Sequence, residues 1–167
     1  MEITRIEPFL DYLENFRGRT RRVIAAIPPD RLEWRPKDGA FSCGDLARHI
    51  AAIGRYMFAE NVAGRPSAYP GHGVELADGY DATVGFFEKL HAESVEIFRK
   101  LTPADLAGTC ITPAGAPIRV GKWLRSMIEH EAHHRGQIYL LLALIGTPTP
   151  PLYGLTSEEV LERSVRK

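Results

Sequence analysis

The residues best equipped for chemistry stand together in the run His130 to Gln137, HEAHHRGQ. A helix turns by about 100° per residue, so His130 and His134, four apart, project side by side and offer two ring nitrogens to one point. Neutral imidazole is the commonest protein ligand for a metal, and this is metal-site spacing. On a helical wheel Trp123, Met127, Leu141 and Ile145 fall near the same direction, which predicts a pair facing the core, while His133 turns with Glu129 to a polar edge. A buried imidazole needs a partner that hydrogen-bonds or coordinates it. The plainer alternative is two core histidines bonded to backbone or carboxylate; two at this spacing favour a divalent cation.

A third ligand is needed, and the sequence offers His49, on the edge of the apolar stripe of another helix between the directions of Ile53 and Tyr56. Three neutral nitrogens would leave coordination positions open for water or substrate, the mark of a catalytic metal. His72, between Gly71 and Gly73, reads as an exposed loop residue, and His91 as surface or boundary, so with His133 they stay outside the set. On ordinary histidine chemistry, metal affinity falls as pH drops through about 6.5.

Neighbouring residues invite roles. Glu131 could orient an imidazole, act as general base, or pair with Arg135 one helix turn on. Arg135 and Gln137 could bond a bound water or an anionic substrate, or pack between helices. Cys43, in the first turn of its helix, would gain some thiolate character from the helix dipole, or serve as an inert small residue. Read literally, His130-Glu131-x-x-His134 with His133 also satisfies the H-E-x-x-H zinc peptidase pattern, with Glu131 as base and Glu158 or Glu159 recruited as a further ligand.

The elements that must position these groups are helices. Pro8 opens the first, whose Phe9, Leu10, Leu13, Phe16, Val23, Ile24 and Ile27 recur at three- and four-residue steps until Pro28-Pro29. A loop follows, with Trp34 expected to lie across a bundle end. Ser42 and Asp45 form a capping box for a second helix with the stripe Leu46, Ile50, Ile53 and Met57. The Gly- and Pro-rich stretch from Ala63 to Asp78 is a long crossover. A third helix runs from Tyr80 to Leu101, stopped by Thr102-Pro103, and a short extended pair is expected around PAGAP. The fourth, Ile118 to Ile145, carries the histidines and ends at Gly146, and Thr156 with Glu159 caps a short C-terminal helix. The fold class is all-α: a four-helix bundle with long crossover loops and a short C-terminal helix, in a single domain over residues 1–167.

Composition narrows the function. Hydrophobic residues at 44% and charged residues at 25% are ordinary globular values, and 21 basic against 21 acidic residues leave no nucleic-acid footprint. The basic residues from Arg17 to Arg22 read as a solvated helix face. Two cysteines far apart suggest free thiols in a reducing compartment. The opening MEITRIEPFLDYLE lacks signal-peptide character, and the apolar run YLLLALI is far short of a membrane span, so the expectation is a cytoplasmic protein with no membrane partner.

The segments LEWRP at Leu32 to Pro36, FSCGDLARHI at Phe41 to Ile50 and HEAHHRGQIYLLLALIG at His130 to Gly146 resemble the DinB/YfiT-like superfamily of small metalloenzymes, in order along nearly the whole chain. The resemblance implies His49, His130 and His134 as ligands, zinc or nickel as the ion, a bundle of unusual connectivity, and frequent homodimers. Relatives include S-transferases and isomerases that work with small cellular thiols; the similarly named DNA polymerase is unrelated. A fold family does not fix a reaction. The leading reading is a metal-dependent transferase whose ion binds a low-molecular-weight thiol as nucleophile. The alternatives are a non-catalytic metal-binding or dimeric scaffold, and the small zinc peptidase.

Overall fold

A computed structural model describes residues 3–165. Helix α1 (Ile6–Ala25) buries Ile6, Phe9, Leu13, Phe16, Val23 and Ile24 along one stripe, and Arg17 and Thr20 fall on that stripe too. Pro28 leads into a single 3₁₀ turn at Pro29–Arg31. Helix α2 (Cys43–Ile53) begins at the expected box: Ser42 Oγ accepts from the Asp45 amide, and the Ser42 amide donates to Asp45 Oδ2, both at 2.9 Å. It continues through a π-helical turn, Gly54–Ala59, into the short α3 (Glu60–Val62).

That π-helical turn corrects the predicted stripe. A π turn holds an extra residue, which rotates everything after it by roughly the 100° of one helical position. Phe58 is therefore fully buried where the stripe predicted Met57, which is only partly buried against the core.

After the crossover, helix α4 (Tyr80–Phe98) starts at Gly79, whose φ of 81° favours a residue without Cβ. It ends slightly before the predicted Leu101, and a short helix α5 (Pro103–Ala107), absent from the sequence reading, follows with its own Thr102–Asp105 capping box. Strands β1 (Thr109–Ile111) and β2 (Pro117–Arg119) pair antiparallel about the predicted PAGAP turn, with Cys110 opposite Ile118. Helix α6 (Val120–Leu144) carries the histidine run. Helix α7 (Ser157–Val165) is capped by Thr156 and Glu159, as expected.

Helices α1, α2 with its continuation, α4 and α6 make a four-helix bundle in which α6 lies against both α1 and α2, and α4 closes the other side against the same two. No helix among the described residues is long and apolar enough to cross a membrane. The apolar interior falls into two clusters. One gathers Phe9, Leu13, Phe16, Phe58, Phe98, Leu124 and Met127, and the other Val23, Ile27, Leu46, Ile50, Phe87, Leu90, Ile138 and Leu142, with Trp34 packed against it.

Two expectations are corrected by what lies near these clusters. Arg17 is not part of a solvated face: it is 3% exposed, its guanidinium over the Phe87 ring and beside Glu131. His91 is not at the surface. It shares the buried α4 stripe with Phe87, Ser94 and Phe98, and its Nε2 lies 2.8 Å from Glu14 Oε2.

The long crossover is fixed by Arg48, wholly buried on α2. Its Nε donates to the His72 carbonyl at 2.9 Å, Nη1 to Glu33 Oε1 and the Ala77 carbonyl at 2.8 and 3.1 Å, and Nη2 to Glu33 Oε2 and Asp45 Oδ1 at 3.0 and 3.1 Å. Gly44 leaves room for this: a Cβ there would run into Glu33 Oε1. Removing one member of a buried charged network strands the others, so Arg48→Met is expected to destabilise the protein by about 3–5 kcal/mol in urea unfolding. A loss under about 1 kcal/mol, within the range of an ordinary surface change, would refute the strap.

Candidate metal centre

His49 comes from the middle of α2, and His130 and His134 from one face of α6, at the contact between those helices. Nε2 of His49 lies 3.1 Å from Nε2 of His130, and one nitrogen from each of the three rings lies within 4.8 Å of the others. Two nitrogens on one tetrahedral zinc at its usual bond length are roughly 3.3 Å apart, close to the His49–His130 separation, and a small ring movement would bring the third nitrogen to the same ion. Without an ion, the 3.1 Å approach requires one Nε2 to carry a proton; with one, both lone pairs point at it.

The rings are held in ligand form. Burial, then His134 and His72, lowers the His49 pKa from its ordinary 6.5 to about 4. Burial, then the neighbouring imidazoles, lowers His130 to about 3. His134 is lowered as well, chiefly by burial, with the Gln137 hydrogen bond acting against it. All three are thus neutral near pH 7, the state that coordinates.

The far nitrogens of His134 and His49 are also occupied. Nδ1 of His134 donates to Gln137 Oε1 at 2.6 Å, which leaves Nε2 free for an ion, and the Gln137 amide reaches His133 Nε2 at 3.3 Å. This gives Gln137 an orienting role. Nδ1 of His49 lies 2.7 Å from the Tyr69 hydroxyl. Phe41 stacks on His49 with ring centroids 5.8 Å apart, and Phe58, turned inward within the π-helical turn, lies 6.0 Å from the His130 ring. Aromatic rings thus wall the cluster on the α2 side.

His133 is exposed on the polar edge, as read from the sequence. His72 differs from that reading: it is half-buried, with its ring 5.9 Å from His49 and edge-on to Phe41 at 4.5 Å. A loop histidine shows no periodicity that could have revealed this.

The roles left open for Glu131, Arg135 and Cys43 narrow. Glu131 faces α1, where Oε1 accepts from Thr20 Oγ1 at 2.5 Å and Oε2 lies 2.8 Å from Arg17 Nη2. It is 1% exposed and committed to that contact, so it is neither a base for the histidines nor the simple partner of Arg135. Arg135 lies over the Phe16 ring at 4.3 Å and reaches the Phe16 carbonyl at 3.4 Å, the helix-packing role. Cys43 gains no thiolate character: burial, then Glu33, pushes its thiol up to about 12. Glu158 and Glu159 lie on the exposed α7 and belong to no metal-competent cluster among the described residues.

A family model described as the DinB superfamily matches residues 12–138. Among solved structures, a DinB-like protein from Bacillus cereus aligns at 21% identity with a TM-score of 0.73, covering 87% of this chain and 95% of its own. A DinB-like protein from Bacillus subtilis aligns at 20% identity with a TM-score of 0.63, covering 83% and 92%. A third solved structure, a four-helix bundle protein, aligns at 20% identity with a TM-score of 0.57, covering 81% of this chain and 99% of its own. No curated protein matches the chain.

Burial moves the pH window expected from the sequence. With folded values of about 4 for His49 and about 3 for His130, protons compete with an ion only well below 6.5. For these two ligands proton competition should therefore set in only as pH approaches 4, and His134 is lowered too, so metal affinity of the folded protein should fall at a lower pH than ordinary histidines would give. The sign for stability is opposite in origin: the unfolded chain binds these protons first, so the chelated protein loses stability as pH falls from 6.5 toward 4. Isothermal titration with zinc at stepped pH measures the first; an affinity dropping steadily from pH 6.5 would contradict it.

Proposed function

The chain belongs to the DinB superfamily, and from that premise we propose that it is a divalent-metal-dependent transferase acting with a low-molecular-weight thiol as nucleophile. The observation that carries this reading is the convergence of three neutral ring nitrogens from two helices, with nothing else from the described residues in a metal-competent cluster with them. Zinc or nickel suits such a set of imidazoles. A bound divalent ion supplies Lewis acidity, lowering the pKa of a coordinated thiol so that it is thiolate at neutral pH.

The protein's own residues then have a limited task. His49, His130 and His134 offer three donors and leave positions open; Gln137 holds one ring at its tilt; Phe41 and Phe58 stand against the His49 and His130 rings. No protein base is required beside them, which agrees with Glu131 being held by Thr20 and Arg17. The peptidase alternative loses its base for the same reason. Cys43, buried and protonated, does not substitute for an external thiol.

The test is metal content of the purified protein, followed by transfer from small thiols to an electrophilic acceptor. His130→Ala should lose metal and activity, while His133→Ala keeps both. Glu131→Gln, where it folds, should keep the metal and lose on the order of tenfold activity or less, since a true general base contributes roughly 10²-fold or more. Zinc-dependent peptide cleavage that disappears in Glu131→Gln would replace this reading with the peptidase.

We further infer a homodimer built along α6. Leu140 and Leu144 stand one turn apart at 61% and 57% exposure, and Gly136, one turn earlier, has open space where a Cβ would be. Such a stripe admits close approach of a second helix. Leu140→Lys with Leu144→Lys should convert a dimer to a monomer by analytical ultracentrifugation; an unchanged sedimentation coefficient would remove the interface from this face.

A further inference from the structure

The Tyr69 hydroxyl sits between two imidazoles, 2.7 Å from Nδ1 of His49 and 3.0 Å from Nδ1 of His72, and its ring meets His49 edge-on at 5.5 Å. We propose that Tyr69 is a positioning residue for the metal: it fixes the tautomer and tilt of His49 from the crossover loop, with His72 holding the tyrosine in turn. The inference rests on the metal reading above.

The directions of the hydrogen bonds follow from counting protons. A neutral imidazole has one N–H. If Nε2 of His49 faces an ion, its proton is on Nδ1, and the Tyr69 oxygen must accept it. The Tyr69 O–H is then free to donate, and Nδ1 of His72 is the acceptor within reach. That leaves the His72 proton on Nε2. Each of the two hydrogen bonds then has one donor and one acceptor, and the chain runs in one direction, outward from the centre to the loop.

Tyr69 is exposed, but the backbone around it is anchored on both sides, which makes this more than a chance surface contact. Before it, the Ala68 amide donates to the Tyr56 carbonyl at 2.8 Å. After it, Arg48 holds the His72 and Ala77 carbonyls at 2.9 and 3.1 Å. Arg48 is also the residue immediately before His49, so one helix turn sets both the ligand and the strap that brings its partner. His134 has its orienting group on its own helix, in Gln137, whereas His49 borrows one from the loop.

Outer partners of ligand histidines commonly contribute 10- to 100-fold in metal affinity. Tyr69→Phe removes the hydroxyl and keeps the ring. Cobalt binding to the chelated protein, read by a competing chelator and by the visible absorption bands, should weaken about 10- to 100-fold, with altered bands. The melting temperature of the metal-free protein should not change. His72→Ala should weaken binding less, and adding it to Tyr69→Phe should cost nothing more, because the chain is already cut upstream; independent structural effects would add. A parent protein that binds no cobalt overturns the metal reading and this inference with it. A parent that binds, with Tyr69→Phe equal to it in affinity and spectrum, overturns this inference alone.

Discussion

The constraint on which most of this structure depends is that the Arg48 guanidinium, buried without exposure, must have every N–H accepted. Its acceptors come from four separate places in the chain: the linker through Glu33, its own helix through Asp45, the crossover through the His72 and Ala77 carbonyls, and α4 through Thr83. An isolated buried cation would be prohibitive, so satisfying Arg48 amounts to drawing those segments together. Gly44 and the Ser42–Asp45 capping box are arranged around the same group, since Asp45 caps the helix with one oxygen and pairs with Arg48 through the other. The helix start, the loop path and the site wall are therefore one electrostatic solution.

Between the two apolar clusters, α1 and α6 meet through polar contacts. Arg17, Thr20, Glu131 and Arg135 meet on that side of α6, while His130 and His134 meet His49 on the α2 side. Dispersion and hydrophobic burial hold the clusters, but such burial is not directional and tolerates small slips. Charged and coordinating groups do not tolerate them, because a displaced partner leaves an unpaired charge. The polar contacts thereby fix the registry of α6 against both neighbours, a role the apolar clusters alone would fill less sharply.

Much of this was legible in the sequence. The helical period, the capping boxes at Ser42 and Thr156, and the proline and glycine stops located the helices because those signals are local. The convergence of His49 with His130 and His134 was legible because their neighbours revealed an inward face. What escaped was non-local. A π turn has no composition of its own, so Phe58 could not be seen to replace Met57. Arg17 looked solvated because a cation on a helix usually is, and only the arrival of Glu131 from far along the chain reverses that. His72 and Tyr69 lie in a loop whose path is set by Arg48, and no periodicity within the loop encodes where it folds back.

The same reasoning explains why H-E-x-x-H is misleading in this chain. Consecutive helix positions differ by about 100°, so a glutamate beside a metal-binding histidine starts out aimed away from it. In a peptidase the surrounding fold must bring that carboxylate back to a water on the metal. Here α1 supplies Thr20 and Arg17 at the direction in which Glu131 already points, and the carboxylate is taken. Arg135, one turn on, follows Glu131 to the α1 side as His134 follows His130 to the α2 side. The motif is thus two interleaved pairs serving two helix contacts, and its histidines and its glutamate answer to different neighbours.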